Sequence, residues 1–157
     1  MLTGAVIAAL LVLIGGVSIA AANPRSGGSG HDGGGRKLRF DVEFSPFTLI
    51  DVGEAGPSLG DMLVFHDKLL VKDKQVGEEG GTCPIVDVAQ SLVNCTGTVR
   101  LRAGQITFQG LATSDPTKHL AVTGGTGAYQ GGGGQGTLVE FGNGKGSLTL
   151  ELLDLRR

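Results

Sequence analysis

The sequence predicts an all-β protein: an eight-stranded antiparallel up-and-down β-barrel, preceded by a leader and a linker. Three observations predict it. From Lys37 onward no segment repeats its apolar residues at helical spacing. Instead, short alternating runs follow one another at about 37–51, 59–72, 81–88, 94–103, 105–112, 117–124, 134–142 and 146–155. Tight-turn signals separate them, "RAGQ" and "GNGK" most clearly, because glycine reaches positive φ at little cost. Eight such runs in about 120 residues favour a closed barrel, since closure leaves no strand edge unpaired. A β-sandwich is the competing architecture.

The elements before the barrel are read from composition. Residues 5–22, "AVIAALLVLIGGVSIAAA", are apolar or small throughout and end in an A-x-A exit site. They are expected to be a secretory signal peptide cleaved after Ala22, although no Lys or Arg precedes the run. An uncleaved membrane anchor is the alternative, since the run is little shorter than a span of roughly 20 residues. Residues 23–36, "NPRSGGSGHDGGGR", carry no apolar periodicity and read as a flexible linker, with His31 solvated in it. The ordered domain is expected over 37–157. The protein is therefore expected outside the cell, with no membrane contact once the leader is removed.

Charge and cysteines narrow the function. Thirteen basic and fifteen acidic residues give a net charge of −2 with no long runs, which lacks the basic stripe of a nucleic-acid partner. Export implies an oxidising compartment, so the only two cysteines, Cys83 and Cys95, are expected to be bridged. Closing that short loop would stabilise by about 2–3 kcal/mol. Two cysteines without a nearby histidine are not a metal site.

The glycine-rich run 121–138, "AVTGGTGAYQGGGGQGTL", invites a phosphate-binding reading and fails it. A dinucleotide loop needs Gly-x-Gly-x-x-Gly opening a helix, whereas here Gly127 is followed by three residues and then Gly131. Four consecutive glycines start no helix, at about 1 kcal/mol each against alanine. There is no Gly-Lys-Ser/Thr either. The run is a turn between two strands, and no cofactor is expected.

Strand parity selects the candidate site. In "MLVFHDKLLV", Leu63, Phe65, Asp67, Leu69 and Val71 share one face, and His66, Lys68 and Lys72 share the other. Asp67 is thus a lone carboxylate among apolar residues, where burial raises its pKa and suits it to acid–base work or cation stabilisation. A structural aspartate, bonded to backbone amides or an arginine, is the equal alternative. In "LRFDVEF", Leu38, Phe40, Val42 and Phe44 oppose Asp41 and Glu43, and parity alone puts the acids in water. Arg100 and Arg102 read as a solvated face, and Lys118 and His119 as surface residues. Tyr129 is expected to plug a barrel end or to touch the ligand. Asn94-Cys95-Thr96 is a glycosylation sequon with cysteine at its centre, which disfavours its use.

Two stretches carry a resemblance. "SLGDMLVFHDKLLVKDKQVGEEGGTCPIVD" and "HLAVTGGTGAYQGGGGQGTLVE" resemble the allene oxide cyclase barrel and, more distantly, plant dirigent proteins. The cyclase family has Leu-Gly-Asp, Phe-x-Asn-Lys-Leu, Gly-x-Cys and a Thr-Gly-Gly-x-Gly with a following aromatic, in that order. Leu59 to about Leu152 is covered. The resemblance implies a calycin-like eight-stranded barrel with an apolar lumen, a homo-oligomer (trimer or dimer), and cyclisation without metal or cofactor. Its lumenal Asn falls on Asp67, its Glu-x-Asn on Asp41 and Glu43, and its lumenal Cys on Cys83. On that mapping the two first-strand acids point inward and Phe40, Val42 and Phe44 face neighbouring subunits. The family's Gly-Pro-Tyr tyrosine is lost near Ala112. An acid for the Asn, a lost Tyr and a bridged Cys argue against the plant reaction itself.

Two functions are therefore expected to compete. One is a cofactor-free cyclase or isomerase that confines a small apolar molecule, with Asp67, Asp41 and Glu43 as catalytic carboxylates and Leu63, Phe65, Leu69 and Tyr129 around the ligand. The other is a dirigent- or lipocalin-like module that binds such a molecule without chemistry.

Overall fold

The computed structural model describes residues 35–53 and 55–153. The expected leader, nearly all of the linker and His31 lie outside the described residues. Nine strands follow: β1 (Arg36–Glu43), β2 (Thr48–Ile50), β3 (Met62–Val71), β4 (Lys74–Asp87), β5 (Leu92–Leu101), β6 (Gly104–Ala112), β7 (Thr117–Gly125), β8 (Gly134–Glu140) and β9 (Lys145–Leu152). Each of β3 to β8 pairs antiparallel with the next, and β1 pairs with both β9 and β3. The pairing of β1 with β3 closes an eight-strand barrel, with β2 as a short appended piece on β3. A sandwich is excluded by that closure.

The first run divides where the sequence offers a reason. Pro46 has no N–H to give a ladder, and the chain leaves β3 after the pair Glu43–Lys68 and rejoins it at Thr48–Val64. Residues 44–47 bow away from the sheet between those points.

β4 begins seven residues earlier than its apolar pattern, which starts at 81. Lys72 and Asp73 both take positive φ, 51° and 61°, and make the two-residue turn without any glycine. Gly77, Gly80 and Gly81 then sit inside the strand, where they read as loop in sequence. Their use is steric. Gly81 and Gly97 face each other across β4 and β5; a Cβ on Gly81 would crowd the Phe65 ring, and one on Gly97 the Phe108 ring. Bare backbone there gives two aromatic rings room inside the barrel.

Alternation fills one half of the barrel. Leu69, Val99, Ile106, Leu148 and Leu150 are fully buried, joined by Phe40, Val42, Val122 and Leu152. Each such side chain contributes about 1.5–3 kcal/mol on leaving water. Phe40 and Val42 therefore point in, and Asp41 and Glu43 point out to solvent. This corrects the inward placement of Asp41 and Glu43, and an outward apolar face on β1 no longer argues for an oligomer. The glycine run ends β7, forms a short 3-10 turn (Gly127–Tyr129) and starts β8. Tyr129 is buried under that end of the barrel, with the Arg36 guanidinium 5.1 Å from its ring centre. It closes the floor.

Candidate functional site

The other half of the barrel is hollow. A largely apolar cavity of about 300 Å³ opens between the loops at the ends of β1, β4, β6 and β8. Phe44, Leu63, Phe65, Phe108, Leu120 and Leu138 form much of its wall. Of the expected ligand contacts, Leu63 and Phe65 line it. Leu69 and Tyr129 do not: Leu69 is sealed in the core, and Tyr129 belongs to the closed end. Val71, at the end of β3, is exposed rather than inward.

Asp67 enters the cavity wall as its parity predicts, and is 3% exposed. Its Oδ1 accepts the backbone N–H of Ser45 at 2.8 Å, so the carboxylate pins the bowed segment 44–47. Desolvation raises its pKa, opposed by that Ser45 bond and by the charge of His66.

The residue missed in sequence is Glu79. It is the direct cross-strand partner of Asp67, is 2% exposed, and lines the same cavity. Its Oε2 is buried without a hydrogen-bond partner among the described residues. Burial, and then the neighbouring Asp67 charge, push its pKa up to about 8. At neutral pH Glu79 thus holds a proton; burial raises the pKa of both acids, and Asp67 alone has a hydrogen bond from an amide to oppose the rise. Its flanking sequence, "VGEEGG", looks like a solvated turn; only once β4 is extended back to Lys74 does parity bring Glu79 inward.

Other residues sort by face. Asp41 and Glu43 lie outside the cavity, with Glu43 3.3 Å from Lys68 on the outer surface. Arg100 pairs with Glu78 there, and His66 stands 3.3 Å from the same carboxylate. Lys118 is a correction: its alternation with Leu120 and Val122 turns it into the cavity mouth, while His119 is exposed. Cys83 and Cys95 are bridged across β4 and β5, with both residues in the cavity wall. A third buried acid, Asp61, has a different task. It accepts the N–H groups of Val52 and Ser58 at 2.8 and 2.7 Å and the Ser58 hydroxyl at 3.1 Å. The Val52 and Ser58 amides lead in lowering its pKa, and it clamps the loop before β3.

Known proteins share this architecture. A solved pyocyanin demethylase is 32% identical, with 74% of this chain and 99% of that one covered and a TM-score of 0.67. A pterocarpan synthase dirigent protein is 16% identical, covering 75% and 82%, with a TM-score of 0.57. A Diels–Alderase from Streptomyces koyangensis is 10% identical, covering 79% and 72%, with a TM-score of 0.56. The last two share the fold. No curated protein sequence matches the chain. Residues 37–146 match the model of the allene oxide cyclase barrel like domain, and with the closed barrel, the lumenal acid and the glycine-closed floor in place, the chain belongs to that family.

Proposed function

We propose that the protein is a cofactor-independent enzyme that encloses a small, largely apolar molecule and moves a proton on it with Glu79 and Asp67. One observation carries the reading: two carboxyls, Asp67 and Glu79, are direct cross-strand partners and almost wholly buried in the wall of one largely apolar cavity. Glu79 then serves as general acid and Asp67 as the anion that steadies developing positive charge or takes a proton. Confinement between Phe65 and Phe108 supplies positioning. The cavity sits at the lower end of the roughly 300–1,000 Å³ usual for small-molecule sites, which favours a compact ring system over a long chain. The demethylase relative makes pyocyanin the first compound to try. The lumenal disulfide supports a place outside the cytoplasm.

A binding-only, dirigent-like role is the second reading, favoured by the bond from Ser45 that gives Asp67 a structural task. Turnover and binding of pyocyanin and related ring compounds by wild type, Glu79→Gln and Asp67→Asn separate the two. Loss of turnover by about 100-fold with retained binding is expected. Unchanged turnover in both variants, or binding by all three with no turnover of any compound, removes the enzymatic reading.

A further inference from the structure

Polar groups are divided between the two ends of the cavity. Asp67 and Glu79 lie together on its wall at mid-barrel, whereas Lys118, its neighbour Glu140 and the hydroxyl residues Ser91 and Ser114 lie at the mouth. Among the described residues Lys118 is the one cation in the lining. Its side chain is only 12% exposed, although a lysine at a strand end can ordinarily swing its ammonium into water. It donates instead to the Asp115 carbonyl, and the Glu140 carboxylate stands 3.4 Å away. An ammonium has three N–H donors, so one is left without a partner among the described residues. Glu140, 36% exposed, lines the mouth beside it and is the group that an incoming oxyanion would displace.

We infer that Lys118 is a specificity-determining residue that receives an oxyanion of the ligand at the mouth, where Glu140 is otherwise its counter-ion. The ligand is then a compact ring molecule with a carboxylate, phenolate or enolate at one end and its reacting centre at Glu79 and Asp67. Like-charge repulsion from Asp67 favours that orientation over the reverse. The inference rests on the cavity being the binding site. It goes further by assigning opposite effects to the two members of one ion pair. Removing Lys118 removes the attraction. Removing the charge of Glu140 removes a competitor for the same ammonium.

The test is calorimetric binding of 2-naphthoate and its neutral isostere 2-naphthamide to the whole protein. Wild type is expected to prefer the naphthoate. Lys118→Met should weaken naphthoate by about tenfold or more and naphthamide by less than about twofold, the loss of one charge-assisted hydrogen bond. Glu140→Gln should tighten naphthoate by a few fold. Lys118→Gln serves in place of Lys118→Met should the latter melt early. Equal affinity of wild type for both probes, or the same weakening of both probes in both variants, overturns the role of Lys118 and leaves the cavity reading standing. Failure of both probes to bind wild type, with binding of neither restored by Glu140→Gln, overturns the cavity reading and this inference with it.

Discussion

Asp67 on β3 and Glu79 on β4 are direct cross-strand partners, and both are turned inward and almost wholly buried. Val99 flanks Glu79 on the other side, in β5. Cross-strand neighbours on one face have Cβ atoms about 4.5–5.5 Å apart. Two carboxyls held that way in apolar surroundings cannot both ionise cheaply, and the proton favours Glu79, whose Oε2 has no hydrogen-bond partner among the described residues, over Asp67, which accepts the Ser45 N–H.

The first prediction is a pH dependence of stability. Glu79 ionises near its ordinary value of 4.5 when unfolded and at about 8 when folded. Between these values the folded state holds more protons, so stability falls as pH rises from about 4.5 to about 8 and then levels. Glu79→Gln should melt close to wild type at pH 5 and clearly higher at pH 9. Equal shifts at the two pH values would show that Glu79 is not a buried acid.

Asp67 separates into shape and charge. In Asp67→Asn an amide oxygen can still accept the Ser45 N–H, so the fold should stay within about 1 kcal/mol of wild type. Asp67→Ala leaves that amide unpaired and should cost about 1–3 kcal/mol. With the Asp67 charge gone, the pKa of Glu79 should fall, measurable by NMR titration of its carboxyl carbon. An unmoved Glu79 titration in Asp67→Asn would deny the coupling.

For the cysteines, the native protein should release no thiol when denatured without reductant. Replacing Cys83 and Cys95 together by serine should lower stability by about 2–3 kcal/mol, given their separation of 12 residues. Two titratable thiols in unreduced protein would count against the bridge.

Gly97→Ala tests the seat of the Phe108 ring. The added methyl would meet that ring well inside contact distance, so a loss of about 1–3 kcal/mol is expected in urea unfolding. Adding Phe108→Leu to the alanine variant should recover part of it. A neutral Gly97→Ala would mean the ring has another place to go.

Some of this was legible along the chain because it depends on neighbours two residues apart. The alternation of Leu63, Phe65, Asp67 and Leu69 put Asp67 inside, and Phe40 and Val42 against Asp41 and Glu43 gave the face of β1 that the family mapping reverses. The glycine run was legible as a turn because four glycines oppose any helix. Glu79 and Lys118 were not. Glu79 stands among glycines that mimic a loop, and its inward turn depends on a hairpin made by Lys72 and Asp73 without glycine. Lys118 lies at a strand start, where sequence gives surface placement and only the ring of partner strands decides the face.

Because side-chain parity and turn chemistry act over a few residues, the sequence by itself determined the order of the eight barrel strands and most of their faces, but not the separate β2 or the first seven residues of β4. Only the tertiary structure decided which acid stands opposite Asp67, that Tyr129 closes the floor instead of meeting a ligand, and that half of the barrel is left hollow. Those depend on register between strands and on the volume that Phe65 and Phe108 occupy over Gly81 and Gly97. Such contacts join residues far apart in the chain, and burial acts on them only after the barrel has closed.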